Sequence, residues 1–320
     1  MRKSKPEFSV IMPTYNSVEF IRVAVESVLN QEFSDLELIV VDDGSTDGTA
    51  DVLAEIRDDR MTVQRVPNGD VGAARNVGLE LARGRVFTFL DSDDRWRPHK
   101  LTVEREILRS EPEVGLTFSN FERFTSEGTW ETDQFAFYPL LPDLPTRPTN
   151  RGRGRVLMAP AFLSVIPFYD FPAFCQAIAV RREVIGDIRF PDRTWDAKGR
   201  LSLLEDLGFV PRLFRRTTVA YIPEPLADVR RHDDNSTKHF EQLGYAILDT
   251  LMFLRDESLS TAERRALESR IARQEISVGH QRVLDGEPVE ALRAYWRGAL
   301  AGRPHSAVKG VLSLPFAGRR

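Results

Sequence analysis

Three aspartates stand close together in the segment FLDSDDRW, residues 89–96, at positions 91, 93 and 94. Like charges this close repel one another, and each carboxylate loses hydration when it leaves water. In an extended segment, residues two positions apart face the same side, so Asp91 and Asp93 can point together into a cleft. Hard divalent cations prefer carboxylate oxygens and usually take one or two of them together with phosphate oxygens. The segment therefore predicts a site for a cation and a phosphate; the alternative is that Asp93 or Asp94 caps the following helix.

The elements that would position this cluster alternate between strand and helix. Apolar runs predict buried strands at residues 8–12, 36–41, 61–66 and 86–90. Apolar residues at helical spacing predict helices at residues 17–29, 49–57 and 71–83. This alternation indicates a largely parallel sheet with helices on its faces, in which ligands bind beyond the carboxyl ends of the strands. The segments PTYNS, DDGS and DSDD all lie at such ends.

The second half of the chain is less regular. Between residues 119 and 174 the pattern dissolves, and the stretch FYPLLPDLPTRPTNRGRGR, residues 137–155, is rich in Pro, Arg and Gly and shows no periodicity. Such a stretch is typical of a solvated surface loop, or of a mobile flap that closes over an anionic ligand. Short strands are predicted at residues 176–180 and 219–222, and helices after about Lys238, with a break at residues 286–288.

The composition excludes several classes of protein. A formal net charge of −4 gives no general affinity for nucleic acid. Cys175 is the only cysteine, which excludes an intrachain disulfide and a cysteine-based zinc site and is typical of a reducing cytoplasm. No apolar run approaches the ~20 residues of a membrane-spanning helix, and the N-terminal one is too short for a signal peptide.

The stretch from Pro288 onwards is basic and contains the apolar segment VKGVLSLPF. Its one acid, Glu290, stands against six Lys or Arg residues. Helices of this composition predict peripheral contact with an anionic membrane surface. The alternative is that they cover the core or the interface of a homo-oligomer.

Four motifs together resemble a known family. The segments SVIMPTYNS, VVDDGSTDGT, NGDVGAARNVGL and FLDSDDRWRP stand in the order and spacing of the family 2 inverting glycosyltransferases, and the resemblance continues at LLEDLGF and PEPLADVRRHDDNS. It covers residues 7–118 well and residues 176–236 in part. The resemblance implies the GT-A fold, an α/β architecture with a mostly parallel sheet and flanking helices, here followed by a C-terminal helical extension. It also implies a nucleotide-sugar donor.

The resemblance divides the chain into a GT-A domain, residues 1–237, and a helical region, residues 238–320. Within the domain, residues 1–118 would bind the nucleotide-sugar and residues 119–237 the acceptor. The family's QxxRW segment is missing, which argues against a processive polysaccharide synthase.

The resemblance also assigns the donor site. Its residues lie in the four motifs: Pro13, Thr14, Tyr15, Asp43, Arg75, Asp91, Ser92 and Asp93. The first three match the loop that lines the nucleotide pocket, and Asp43 matches the acid that hydrogen-bonds the base or ribose. Arg75 stands where relatives hold the nucleotide or its phosphates; the alternative is an arginine on a helix surface.

Asp91 and Asp93 match the DxD pair of the family, which implies Mn²⁺ or Mg²⁺ as a cofactor. Either Asp93 or Asp94 would meet the metal, so both are predicted as ligands. His232 matches a third ligand or a phosphate contact, with a structural histidine as the alternative. The neighbouring Arg230 and Arg231 could neutralise the diphosphate through charge-assisted hydrogen bonds.

Glu205 and Asp206 match the family's ED motif. In a one-step inversion, an acceptor hydroxyl attacks the anomeric carbon opposite the departing diphosphate, and a carboxylate takes its proton. Asp206 is the predicted general base, and Glu205 is predicted to orient the acceptor. The alternatives are that either acid caps a helix or pairs with one of three nearby arginines: Arg212, Arg215 and Arg216.

The predicted function is a metal-dependent, non-processive, inverting transfer of one sugar. A UDP-sugar is the favoured donor, and the acceptor is a hydroxyl of a glycan or lipid-linked molecule in cell-envelope or exopolysaccharide biosynthesis. The alternatives are a catalytically inactive nucleotide-sugar sensor or assembly subunit and, less favoured, a sugar nucleotidyltransferase, which should carry a Gly- and Arg-rich loop after its first strand. A dinucleotide oxidoreductase is excluded because no GxGxxG follows that strand. The expected location is the cytoplasm or the inner face of the membrane.

Overall fold

The computed structural model describes residues 5–131, 133–138, 141, 143–162, 173–195, 204–232, 240–257 and 259–300. The strands are β1 Phe8–Thr14, β2 Leu36–Asp42, β3 Met61–Arg65, β4 Val86–Phe89, β5 Arg95–Trp96, β6 Val114–Thr125, β7 Gly128–Glu131, β8 Thr146–Pro148, β9 Arg155–Leu157, β10 Ile178–Arg181 and β11 Thr218–Arg230. The helices are α1 Ile21–Leu29, α2 Thr49–Glu55, α3 Val71–Leu81, α4 Lys100–Ser110, α5 Arg182–Ile185, α6 Glu205–Phe214, α7 Phe240–Arg255, α8 Thr261–Leu284 and α9 Pro288–Leu300.

The strands form one mixed, mostly parallel sheet in the order β3-β2-β1-β4-β10-β6-β11-β9-β8. Strands β1 to β4 run parallel, β10 is antiparallel to both β4 and β6, and β11 is parallel to β6. The chain builds outwards from β1 to β3 and then returns to place β4 on the other side of β1, so a crevice opens beyond the carboxyl ends of β1 and β4. The predicted α/β sheet with flanking helices is confirmed.

The expectation of an irregular loop or flap from residue 119 onwards was wrong for several stretches. Strand β6 continues to Thr125, and β7, β8 and β9 follow it. The centre of β6 is buried although it contains Thr117, Ser119 and Asn120. Because these polar residues interrupt the apolar run, the sequence pattern concealed a strand whose hydrogen bonds come from both sheet neighbours. Residues 163–172 lie outside the described part of the chain.

The predicted helical extension is confirmed by helices α7, α8 and α9. The side chain of Asp70 caps α3, and Ser260 with Glu263 forms a capping box at the start of α8. The predicted break lies between α8 and α9, where Gly286 adopts φ of 76°. No helix in the described residues is long and apolar enough to cross a membrane. The domain boundaries stay a prediction, and residues 301–320 lie outside the described part.

Candidate active site

Three loops at the carboxyl ends of β1, β2 and β4 are tied together by hydrogen bonds. Asn16, with φ of 48°, donates from its backbone to Ser45 Oγ at 3.0 Å and accepts from the backbone of Thr46 at 2.8 Å. The hydroxyls of Ser17 and Ser92 lie 2.7 Å apart. The predicted donor residue Ser92 is therefore fixed to the loop that follows β1.

The predicted nucleotide residues lie side by side in the crevice. Asp43 donates from its backbone to the carbonyl of Thr14 at 2.9 Å, and its carboxylate accepts from Gly69 N at 2.6 Å. Burial and the neighbouring Asp70 raise the pKa of the Asp43 carboxyl. Pro13 is buried, whereas the Tyr15 side chain is half exposed. Thr14 Oγ1 is buried and has no hydrogen-bond partner among the described residues. This corner thus brings a carboxylate, a hydroxyl and an exposed aromatic ring close together.

The three aspartates of the DSDD turn have different neighbours. Asp93 Oδ2 lies 3.0 Å from His232 Nε2, whereas Asp94 Oδ1 accepts from Arg230 N at 2.8 Å. Burial and the neighbouring acids raise the pKa of Asp93 and, more strongly, that of Asp94. Neither aspartate caps α4, because His99 is the residue that precedes that helix.

Arg75 joins the DSDD turn to the ED motif. Its side chain is 2% exposed, and its Nη2 donates to Asp91 Oδ1 at 2.6 Å. Its Nη1 contacts the carboxylate of Glu205 and lies 3.3 Å from Asp206 Oδ1. The alternative of a surface arginine was wrong. One buried guanidinium thus faces three carboxylates from two segments of the chain, the DSDD turn and the ED motif.

Glu205 and Asp206 open α6, where the helix dipole favours negative charge. Asp206 Oδ2 accepts from the backbone of Cys175 at 2.9 Å. Burial raises the pKa of Glu205 to about 7, and the Arg75 guanidinium limits this rise. Neither acid caps α6 through its side chain.

The alternative pairing of these acids with nearby arginines is not seen, because the three arginines bind other acids. Arg212 pairs with Glu257, and Arg215 pairs with Glu257 and Glu263. Arg216 pairs with Asp187. Among the described residues, the arginine that pairs with the ED motif is therefore Arg75.

Two aromatic residues that the sequence patterns did not single out border this site. Phe20 and Phe124 both lie beside the guanidinium of Arg230, whose Nε donates to the carbonyl of Asp93 at 3.0 Å. The backbone of Arg231 donates to the carbonyl of Phe124 at 2.8 Å. Apolar spacing could not distinguish Phe20 from the residues of α1 that face the core.

The donor atoms of this corner are chemically suited to Mn²⁺ or Mg²⁺. The described residues contain no group of three or more His, Cys, Asp or Glu side chains placed to hold a metal. The Asp93 carboxylate and the His232 imidazole converge as a pair. Cations that work on phosphates commonly take one or two protein ligands, with phosphate oxygens and water completing the shell. The pair therefore fits a metal that arrives with a diphosphate.

Sequence comparison places the chain in a known family. The family described as Glycosyl transferase family 2 matches residues 9–171, about half of the chain. The Escherichia coli protein WfaP, a UDP-Glc:alpha-D-GlcNAc-diphosphoundecaprenol beta-1,3-glucosyltransferase, is 37% identical over 115 residues, which are 35% of this chain and 45% of WfaP. The chain belongs to glycosyl transferase family 2.

Solved structures share the fold. S. aureus TarS in complex with UDP-GlcNAc has a TM-score of 0.63 at 18% identity, over 94% of this chain and 82% of that chain. The mannosyltransferase PcManGT from Pyrobaculum calidifontis, in complex with GDP-Man and Mn²⁺, has a TM-score of 0.59 at 18% identity, over 98% of this chain and 82% of that chain. The predicted GT-A fold is confirmed. Across three curated relatives, the match spans only 35% to 56% of the relative's own length.

Proposed function

We propose that this glycosyltransferase moves one sugar, with inversion, from a UDP-sugar to a hydroxyl of a glycan or lipid-linked acceptor during cell-envelope polysaccharide synthesis. The observation that carries the proposal is Arg75, which joins Asp91 of the DSDD turn to Asp206 of the ED motif. The donor corner and the carboxylate that would serve the acceptor thus share one buried cation. The UDP-sugar bound by TarS and the lipid-linked acceptor in the name of WfaP support the two substrate classes.

In this proposal Asp206 takes the proton from the acceptor hydroxyl as that oxygen attacks the anomeric carbon. The Cys175 N–H bonds one carboxylate oxygen and Arg75 lies close to the other, so the carboxylate has a fixed direction. The Asp206 side chain is 21% exposed, so an acceptor can approach it. Glu205, beside it, is placed to orient the acceptor.

Asp93 and His232 are the residues that would hold the metal, and the Asp94 carboxylate stays with the backbone of Arg230. A bound Mn²⁺ or Mg²⁺ would offset the negative charge that develops on the departing diphosphate. The Mn²⁺ in PcManGT supports this cofactor class. Arg230, held beside Asp93, adds a second positive charge at the same corner.

Thermal shift with UDP, GDP and dTDP, each with and without Mn²⁺, tests donor and metal together. We expect UDP with Mn²⁺ to stabilise the wild type most, by roughly 3–5 °C at a ligand concentration ~100 times the Kd. Asp93→Ala should lose the part of this shift that depends on Mn²⁺. The control Asp58→Ala removes an acid that pairs with Arg60 before β3 and should respond like the wild type. An equal response of Asp93→Ala would contradict the metal assignment.

The outer face of α9 supports the predicted peripheral membrane contact. Four large apolar side chains on one stripe of this helix are 46% to 72% exposed: Val289, Leu292, Trp296 and Leu300. The opposite face, with Ala291 and Tyr295, is buried. The sequence from residue 288 onwards carries one acid and six Lys or Arg residues. An apolar stripe within a basic segment suits the surface of an anionic bilayer.

Vesicle sedimentation tests this contact. We expect the chain to bind vesicles of phosphatidylcholine with phosphatidylglycerol, and the double variant Leu292→Glu/Trp296→Glu to bind at least tenfold more weakly, because two carboxylates cannot enter the acyl boundary. Val63→Glu, a substitution of an exposed valine on the edge strand β3, is the control and should bind normally. If the double variant sediments like the wild type, the stripe does not contact the membrane.

A further inference from the structure

A continuous series of cation–ring contacts runs beside the DSDD turn. The guanidinium carbons of Arg95 and Arg230 each lie 4.5 Å from the ring centroid of Phe124. The guanidinium of Arg230 also lies 4.7 Å from the ring of Phe20. The Phe20 ring in turn lies 5.0 Å from the imidazole of His232, at an interplanar angle of 35°. Among the described residues, the Phe20 ring thus contacts both Arg230 and His232.

Phe20 itself is fixed to the same corner. Its backbone N–H donates to the carbonyl of Ser17 at 2.9 Å, and the Ser17 hydroxyl bonds that of Ser92 within the DSDD turn. The ring therefore stands on a loop that is hydrogen-bonded to the turn. Because Phe20 contacts Arg230 and His232 from this loop, it holds both residues in position relative to Asp93 of the turn.

The ring contacts of Arg230 suit a side chain that binds a diphosphate. An arginine side chain has several rotatable bonds, and an aromatic face both restricts them and favours a cation through its negative electrostatic potential. Arg230 lies against two such faces while its Nε donates to the carbonyl of Asp93. Its charge is thus oriented before a ligand arrives, which lowers the cost of binding.

We propose that Phe20 is a positioning residue that holds Arg230 and His232 in place for the donor diphosphate and its metal. This inference rests on the proposed function, because it concerns the affinity of the same corner for a nucleoside diphosphate. Phe20 acts through its two neighbours and has no direct part in the chemistry. Loss of its aromatic face should weaken ligand binding while the fold persists.

Calorimetric titration of UDP in the presence of Mn²⁺, and of Mn²⁺ alone, tests the inference in the full chain at 25 °C. We expect Phe20→Leu to raise the Kd for UDP about five- to tenfold and the Kd for Mn²⁺ alone severalfold, as the loss of a partly buried cation–ring contact predicts. Phe20→Tyr keeps the aromatic face and should bind within about twofold of the wild type.

The matched control is Phe33→Leu. The Phe33 ring also lies under an arginine, Arg105 at 4.8 Å, but it packs on Phe8 at the opposite end of β1. Phe33→Leu should lose stability like Phe20→Leu, but its Kd values for UDP and for Mn²⁺ should equal those of the wild type. Wild-type Kd values in Phe20→Leu, or equal losses in all three variants, would overturn the inference. A wild type that binds neither UDP nor Mn²⁺ would overturn the proposed function itself.

Discussion

Asp206→Asn is expected to abolish sugar transfer while leaving donor binding intact. The amide has almost the shape of the carboxylate, and its oxygen can still accept the hydrogen bond from Cys175 N. It cannot take a proton from the acceptor. Loss of a general base costs about 10²- to 10⁴-fold in rate. Release of UDP from the UDP-sugar measures the rate, and calorimetry should give a Kd for UDP within about threefold of the wild type.

Glu205→Gln is the matched control, since it makes the same change one residue away. Glu205 contacts the same guanidinium, so both variants remove a carboxyl group beside Arg75. We expect Glu205→Gln to keep at least a tenth of the transfer rate and to act mainly on the acceptor. If Glu205→Gln were inactive and Asp206→Asn active, the base would be Glu205 and the assignment to Asp206 would be wrong.

Arg75→Met is expected to cause the largest loss of stability. The buried Arg75 balances Asp91, Glu205 and Asp206, and methionine fills similar volume without charge. Breaking a buried ion pair from one side typically costs about 3–5 kcal/mol of unfolding free energy. Urea denaturation at pH 8 measures this loss. The control Arg83→Met removes a half-exposed partner of Glu37 and should cost about 1 kcal/mol or less.

The loss in Arg75→Met should also depend on pH. The pKa of Glu205 rises on folding from its ordinary 4.5 to about 7, so the folded state holds the proton more tightly and stability falls as the pH rises between these values. Arg75 limits the rise, and without it the Glu205 pKa moves higher. Arg75→Met should therefore be less destabilising at pH 6 than at pH 8. A loss below about 1 kcal/mol at both pH values would contradict the role of Arg75 as the shared cation.

The first third of the chain was predictable because its signals are local. Strands β1 to β4 begin at the predicted residues, since each short apolar run closes at a turn or helix cap within a few positions. Asp43, Ser92 and Asp93 follow such runs, and the sheet order brings the strand ends to one crevice. The motifs therefore predicted which residues meet in the crevice that we propose binds the donor.

The link between the two halves was not predictable in this way. Arg75 and Asp206 are 131 positions apart in the sequence. Their contact depends on how the intervening strands, including β6 and β10, place α6 next to α3. Helical spacing did not reveal that Arg75 points inwards. The proposed choice of Asp93 over Asp94 depends similarly on a distant element, because Asp94 Oδ1 accepts a hydrogen bond from the backbone of Arg230. Long-range contacts of this kind leave no periodic signal in a single sequence.

The anomeric configuration of the first released sugar tests the central proposal most directly. With water in place of the acceptor, the enzyme and Mn²⁺ should slowly hydrolyse UDP-α-glucose or UDP-α-GlcNAc, and proton NMR can record the product before it equilibrates. If Asp206 acts as the single base of a one-step displacement, the β anomer appears first, and Asp206→Asn suppresses its formation. Initial release of the α anomer, or an undiminished rate in Asp206→Asn, would contradict the account.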